Sequence, residues 1–374
     1  MNKDVAVIGG STAGFFTAYL LARQGARVRV FEASDRIDPF SRTLIVTDEM
    51  RKLLGPLSES SVVNKISRLE LFADGQVAEI SLRRPDLVIE RSKLIQELAA
   101  RAEAAGAHVL TGRRFLGLKS QPECLTFSLS CNGDKSEESA DILVGADGAF
   151  SEVAKSAGWP ALPKVPLVQA IVDLPKDMPS HTTRIWFLPE ETPYFYWLIP
   201  YSQSRGVVGL IGEDEVRARR SFECFLERKG LLPIEFQSAM IPLYSRWSPN
   251  HRKIGGGHVY LVGDAAGHVK VTTVGGIVTG LRGASGAAEA ILNSGHSREL
   301  QFLRRELDRH LLIRRVLHHF TETDYCRLLN MLTAPIKSSL ASLTRDETGK
   351  LLFHVLLKQP RLVLLSLRAL LFGK

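Results

Sequence analysis

Short apolar runs and glycine-rich turns alternate at the start of the chain. Residues Asp4–Ile8 form an apolar run that ends in glycines, and an apolar helical pattern follows over Phe15–Gln24. A second apolar run, Arg27–Phe31, comes after Gly25 and ends at Glu32. This order of strand, turn, helix and strand predicts a βαβ unit, the element from which parallel sheets covered by helices are built.

The turn of this unit carries a dinucleotide-binding pattern, GGSTAG, over residues 9–14. Gly9 permits the tight turn, Gly14 lets the helix pack closely on the strand, and the helix N-terminus offers free N–H groups to a pyrophosphate. Glu32 lies 18 residues after Gly14, where a carboxylate can accept hydrogen bonds from ribose hydroxyls. Ser11 replaces the middle glycine of the motif. The pattern predicts a bound dinucleotide, and a tight turn without a ligand is the alternative.

Two later strands also run into glycine-rich turns. Ile142–Val144 is followed by GADG, and His258–Val262 is followed by GDAAG, which contains Asp264. An alanine-rich helix, Leu281–Leu292, comes after the pair Gly275-Gly276. A carboxylate at a strand end can bind a sugar-like chain, and the N–H groups of a helix start can stabilise negative charge on a bound ring.

Between these motifs the apolar positions alternate with period two. The stretches 185–188 and 207–211 indicate an antiparallel sheet. Residues 115–140 predict a pair of hairpins, because 125–131 alternates and Asn132-Gly133 is a turn signal. The run YFYWLIP at 194–200 predicts a strand with one face over a ligand cavity, or a packed strand without ligand contact.

From Arg298 onward the chain is leucine-rich with a helical pattern. We predict helices over 300–320, over 325–333 or longer, over 349–357 and, after a break at Pro360, over 362–372. The last one has about 11 residues, which is too short to span a bilayer. It either lies in a membrane interface or docks its leucine face on the protein core. The basic residues that would lie at headgroup level are Lys358, Arg361, Arg368 and Lys374.

Composition narrows the class of protein. The 374 residues are 45% hydrophobic and 24% charged, which is ordinary globular composition, and the length suits two domains or one large domain with an insertion. Four cysteines without a CxxC pair argue against a disulfide scaffold and against a metal site. No membrane span or signal peptide is evident, so we expect a cytoplasmic protein, peripheral on the inner membrane face if the tail binds lipid.

Charge is concentrated at the C-terminus. The formal net charge is +8, and 14 basic against seven acidic residues follow from Arg298 onward. Because this basic region is also rich in leucine, a membrane surface is the better predicted partner and nucleic acid is not expected. A solvated basic helix face is the alternative.

Three segments together resemble the FAD fingerprints of the para-hydroxybenzoate-hydroxylase-like flavoproteins. They are GGSTAG with Glu32, GADGAFS at 145–151, and VYLVGDAAGHVKVTTVGGI at 259–277. The resemblance covers about Val5–Leu292 and implies FAD as the cofactor. It implies an α/β fold with a discontinuous Rossmann-like FAD-binding domain, an antiparallel β-sheet substrate domain and a C-terminal helical region. The FAD-binding domain is expected over 1–45, 90–157 and 252–297. The substrate domain is expected over 46–89 and 158–251, and the C-terminal helical region over 298–374.

The resemblance also implies roles for residues by their position in the motifs. The turn at 9–14 holds the pyrophosphate, Glu32 holds the adenosine ribose, and Arg42 is a candidate for the phosphates. Arg91 reaches the flavin, with a surface arginine at a helix start as the alternative. The residues implied around the cofactor are Gly9, Ser11, Ala13, Gly14, Glu32, Arg42, Arg91, Gly263, Asp264, Gly275, Gly276 and Ile277.

Toward the reacting ring, Asp264 is implied to contact the ribityl or phosphate region, and Gly276 and Ile277 to face the isoalloxazine. Phe195 and Trp197 are implied on the wall of the substrate pocket. His268 and Lys270 lie near the expected flavin as candidate proton donors, or as rim residues without a chemical role. No residue is assigned as catalytic.

Within this superfamily the run HVKVTTVGGIVTGL at 268–281 is similar to the geranylgeranyl reductase motif. Val271 and Val274 stand where that motif has Pro and Gly. The aromatic run at 194–200 resembles both the reductases and the halogenases. The segment 37–50 has no cysteine, although many of the reductases carry one there.

The resemblance therefore implies reduction of C=C bonds of an isoprenoid or lipid by hydride from reduced flavin, with NAD(P)H or a reduced carrier protein as the electron donor. The alternative is an FAD-dependent monooxygenase or halogenase, in which reduced flavin activates oxygen toward an aromatic or other small apolar substrate. A flavin-bearing binding protein without turnover is the third reading.

Overall fold

The computed structural model of the chain describes residues 3–37, 42–359 and 361–372. The strands in chain order are β1 (Asp4–Ile8), β2 (Arg27–Phe31), β3 (Thr43–Val46), β4 (Val62–Ala73), β5 (Gln76–Glu90), β6 (His108–Leu110), β7 (Arg114–Ser120), β8 (Leu125–Cys131), β9 (Asp134–Ala140), β10 (Ile142–Gly145), β11 (Lys164–Asp173), β12 (Thr182–Trp186), β13 (Tyr196–Pro200), β14 (Arg205–Ile211), β15 (Pro233–Pro242), β16 (His251–Ile254) and β17 (Gly257–Leu261).

The α-helices in chain order are α1 (Thr12–Ala22), α2 (Glu49–Leu54), α3 (Arg91–Ala104), α4 (Glu152–Ser156), α5 (Glu215–Lys229), α6 (Ile277–Leu292), α7 (Arg298–Leu317), α8 (Glu322–Asn330), α9 (Ala334–Ser342), α10 (Thr348–Lys358) and α11 (Arg361–Phe372). Every helix within the described ranges falls short of the length and apolarity that a membrane span requires.

The first sheet has the order β16-β17-β10-β1-β2-β6 and is parallel except for β16 at its edge. Helices α1, α3 and α6 cover one face, where Phe15, Leu94 and Leu281 are fully buried. The small antiparallel sheet β7-β8-β9 covers the other face through Leu125 and Phe127. Burial on both faces explains why the two central strands, β1 and β10, are almost continuously apolar in sequence.

The second sheet has the order β15-β11-β14-β13-β12-β4-β5-β3. Its pairs are antiparallel apart from β4 with β12, which lie parallel. Helix α5 packs on one face and buries Phe222 and Phe225, and the opposite face turns toward the glycine-rich turns of the first sheet. The predicted fold class is confirmed.

The C-terminal helices pack against the second sheet and against α6. Phe320, Tyr325 and Leu329 lie against Ala73 and Ala78 of the β4–β5 hairpin. Helix α8 begins earlier than predicted, because Thr321 and Asp324 form a capping box at its N-terminus. Helix α9 was not predicted, since its leucines are few and Pro335 interrupts the pattern, although proline is well tolerated in a first helical turn. The break predicted at Pro360 lies outside the described residues.

Candidate cofactor and substrate cavity

A cavity of about 310 Å³ lies between the carboxyl ends of β1, β10 and β17 and the inner face of the second sheet. Ligands of open parallel sheets bind at this end of the strands. The predicted residues that line the cavity are Ser11, Ala13, Arg42, Arg91, Phe195, Trp197, Gly263, Asp264, Gly275, Gly276 and Ile277.

The turn after β1 shows why its glycines are needed. Gly9 has φ +104°, and a Cβ there would lie 2.5 Å from the Ala146 oxygen. A Cβ on Gly14 would lie 2.2 Å from the Gly9 oxygen. Both contacts are far too short, so larger residues would force the turn apart. Gly9 and Gly14 therefore shape the cavity from behind its lining.

Ser11 caps the helix that follows this turn. Its Oγ accepts a hydrogen bond from the Gly14 N–H at 3.2 Å and donates one to the Ala146 oxygen at 3.0 Å. Helix α1 therefore begins at Thr12, three residues earlier than predicted. The serine that departs from the motif ties the turn to Ala146, which directly follows β10, and is tolerated because its φ of −88° requires no glycine.

Glu32 lies beside the same turn, at the end of β2. Its Oε2 accepts a hydrogen bond from the Gly10 N–H at 2.7 Å, and its Oε1 accepts one from the Ser34 N–H at 2.8 Å. These bonds orient the carboxylate, and each oxygen retains a lone pair for a further donor. Its predicted contact with a ribose stays a prediction.

Two arginines and an aspartate face each other across the cavity. The Arg91 N–H donates to the Arg42 oxygen at 3.0 Å, so the start of α3 holds both residues together. Burial raises the pKa of Asp264, and the charges of Arg42 and Arg91 oppose this rise. Arg91 is half-buried on the cavity wall, and its contact with the flavin stays a prediction.

His268 does not lie where a proton donor would be needed. Its ring is buried against α6, where a Cβ on Gly283 would lie 2.0 Å from Nδ1, and it stacks on Trp247. Burial lowers its pKa to about 4, so the ring is neutral at physiological pH. Since His268 does not line the cavity, its prediction as a proton donor or a rim residue is wrong.

Lys270 does line the cavity, and its partner comes from the C-terminal region. Its Nζ lies 2.6 Å from Oδ1 of Asp346, with side chains only 7% and 3% exposed. Thr47 donates a second hydrogen bond to the same carboxylate. Burial alone would raise the pKa of Asp346, but the Lys270 charge and these hydrogen bonds outweigh it and lower that pKa.

Sequence reasoning missed this contribution from the tail. Arg345 also lines the cavity, and its Nη2 donates to Oδ2 of Asp86 at 2.7 Å. The only signal was the charged run RDE at 345–347 within a leucine-rich tail. Such a run is usually a solvated loop, and nothing in its spacing places it beside residues 47, 86 and 270.

Side chains along β13 and the residue before it alternate between the two faces of the second sheet, as predicted. Phe195, Trp197 and Ile199 line the cavity. Tyr196 points to the other face, where its ring stacks on Phe225 at 4.1 Å. The wall opposite the glycine-rich turns is therefore apolar and aromatic, and contact with a substrate stays a prediction.

These residues fit FAD. A helix N-terminus behind a glycine turn suits a pyrophosphate, and two arginines add positive charge. The turn at Gly263 has φ +62°, which lets the backbone approach a ligand closely. Gly275, Gly276 and Ile277 line the same cavity as the apolar wall of Phe195, Trp197 and Ile199.

Comparison with known proteins gives the same result. Residues 2–293 match the FAD binding domain family. A digeranylgeranylglycerophospholipid reductase of Methanothermobacter thermautotrophicus is 28% identical over 92% of this chain and 95% of its own. A geranylgeranyl diphosphate reductase of Rhodobacter capsulatus is 26% identical over 81% and 79%.

Among solved structures, a geranylgeranyl bacteriochlorophyll reductase-like protein of Thermoplasma acidophilum superposes with a TM-score of 0.81. It is 20% identical, and the match covers 97% of this chain and 98% of that one. The chain belongs to the FAD binding domain family and is an FAD-dependent oxidoreductase similar to geranylgeranyl reductases.

Proposed function

We propose that the protein reduces C=C bonds of an isoprenoid or lipid substrate. The observation that carries this proposal is a cavity that joins the glycine-rich turn at residues 9–14 to an apolar wall of Phe195, Trp197 and Ile199. A hydrocarbon chain fits such a wall, since burying apolar surface drives its binding. The relatives named as reductases of geranylgeranyl compounds support the same substrate class.

The bound FAD supplies hydride in its reduced state. In the proposal, the turn at residues 9–14 and Arg42 bind the phosphates, Glu32 binds the ribose, and Arg91 and Asp264 orient the inner part of the cofactor. The apolar wall places the double bond and excludes water. Alkene reduction also requires a proton, and Lys270 is the cavity-lining ammonium that we propose to hold it, with Asp346 keeping its Nζ in place.

The electron donor in this proposal is NAD(P)H or a reduced carrier protein. We also propose that the C-terminal region contacts a membrane surface peripherally. Arg361, Leu364 and Arg368 are exposed at helical spacing on α11, which suits anionic headgroups and an interface. Flotation with phosphatidylglycerol vesicles should capture the protein, and the double variant Arg361→Glu/Arg368→Glu should lose that capture. Equal flotation of both would contradict this contact.

The test of the reaction is anaerobic. The purified holoenzyme is reduced chemically, excess reductant is removed, and a geranylgeranyl lipid is added while the visible spectrum is followed. We expect the flavin to reoxidise and a saturated product to form. If the flavin stays reduced until oxygen is admitted, and the lipid then gains an oxygen atom or a halogen, a monooxygenase or halogenase replaces this proposal.

A further inference from the structure

Val274 has a backbone conformation that its side chain disfavours. Its φ is +51°, in the left-handed region that glycine occupies easily. A β-branched residue there is an outlier that persists only when the surroundings impose it. Val274 is nevertheless 8% exposed, so its side chain occupies a definite place in the interior.

The C-terminal region holds the loop on the N-terminal side of Val274. Lys270 is paired with Asp346, and the Thr272 hydroxyl lies 2.7 Å from Nδ1 of His310 on α7. Between them Val271 packs on Leu303 and Leu307. The Lys270 N–H also donates to the Gly275 oxygen at 3.2 Å, which closes the loop around Val274.

The side chain of Val274 faces the opposite way from Val271. It lines the cavity and belongs to the buried apolar cluster that contains Trp197, Ile199 and Ile211 of the second sheet. Its isopropyl group therefore fills space between the glycine-rich loop and the aromatic strand. Glycine would satisfy the backbone here and would leave that space open.

We propose that Val274 is a specificity-determining residue, which limits the thickness of the hydrocarbon chain that can lie between this loop and Trp197. This inference rests on the proposed function, because it takes an isoprenoid chain as the occupant. A slender, saturated chain passes the isopropyl group, whereas a chain that carries a ring is rejected.

The test measures binding to the oxidised holoenzyme, so that no turnover is needed. Equilibrium dialysis gives Kd for phytanol, a slender saturated chain, and for retinol, an isoprenoid alcohol that ends in a ring. We expect Val274→Gly to tighten retinol binding by about tenfold or more, since even one methylene group of pocket space is worth about 10–200-fold. Phytanol binding should change by less than about threefold, which is within a kcal/mol.

Val271→Gly is the matched control, since it removes the same atoms from the same loop on the face away from the cavity. It should leave the ratio of the two Kd values unchanged. Val274→Ala keeps a side chain at this φ and should shift the ratio in the same direction by less. If Val274→Gly is unstable, Val274→Ala still tests whether the side chain at this position sets the ratio of the two Kd values.

An unchanged ratio in both Val274 variants, or an equal shift in Val271→Gly, would overturn the role of Val274. If neither probe binds any variant, the cavity takes no isoprenoid and the inference fails together with the substrate class. If both bind and the ratio shifts, but the anaerobic reaction gives no reduced lipid, only the proposed reaction fails.

Discussion

Replacing Asp346 by Asn should leave the Lys270 ammonium buried beside a neutral partner. The two groups are 2.6 Å apart and only 7% and 3% exposed, so water compensates poorly for the lost carboxylate. Removing one partner of a buried ion pair costs about 3–5 kcal/mol, whereas an exposed pair contributes about 0–1 kcal/mol. Asn preserves the shape and can still accept from Thr47, so the loss reports on charge rather than on packing.

This cost translates into a measurable shift in thermal unfolding. Unfolding entropies of about 2.1 cal/mol/K per residue give about 0.8 kcal/mol/K for a chain of 374 residues. Asp346→Asn should therefore lower Tm by about 4–6 °C, measured by circular dichroism at a fixed saturating FAD concentration. Glu223→Gln is the control, because it breaks an exposed pair with Arg219 and should lower Tm by about 1 °C or less.

The effect should depend on pH with a definite sign. The pair holds the pKa of Asp346 below its ordinary value of 3.8, so its contribution is complete above that pH and is lost as the pH falls further. The difference in Tm between wild type and Asp346→Asn should therefore shrink below about pH 4.

A second variant isolates the ion pair from the surrounding packing. Lys270→Met/Asp346→Leu removes both charges and fills the space, so it should be more stable than Asp346→Asn. A Tm of Asp346→Asn within 1 °C of wild type, or a double variant as unstable as the single one, would refute the role that we assign to this pair.

Three further predictions concern the cofactor turn, the buried histidine and the arginine pair. Ser11→Ala removes a helix cap and should destabilise the protein by about 1 kcal/mol, whereas Ser11→Gly should cost a few tenths, both measured by thermal unfolding; equal losses would contradict the cap. His268 has a pKa of about 4 in the folded protein and 6.5 in the unfolded chain. The free energy of unfolding should therefore fall by up to about 3 kcal/mol as the pH drops from about 6.5 to 4, because the unfolded chain binds the proton first. His268→Gln should flatten this dependence in urea titrations. Arg91→Met should weaken FAD binding by about tenfold or more in equilibrium dialysis, because a charged hydrogen bond contributes about 1.5–3 kcal/mol, and an unchanged Kd would contradict its position at the cofactor.

Local patterns predicted the first sheet well, because the residues that determine each strand and turn are neighbours in sequence. The strand at Asp4–Ile8, the turn that needs Gly9 and Gly14, and the strand at Arg27–Phe31 are contiguous in sequence. The sequence also predicted which side chains of the strand at 194–200 share a face, since alternation alone decides that. Both features are local consequences of the chain.

Long-range contacts account for the rest. Asp346 meets Lys270 across 76 residues and Thr47 across 299, and no periodicity encodes such pairs. His268 follows a cofactor motif, yet Gly283 in the next helix makes room for its ring inside the core. The positive φ of Val274 likewise cannot be predicted from the local sequence, because contacts with the C-terminal region hold the loop that contains it.

A single-turnover experiment tests the central claim most directly. Reduced holoenzyme, free of excess reductant, is mixed under argon with a geranylgeranyl lipid, and the lipid is then analysed by mass spectrometry. The account predicts one product molecule, heavier by two hydrogen atoms, for each flavin that is reoxidised. Lipid recovered unchanged, beside flavin that reoxidises only in air, would contradict it.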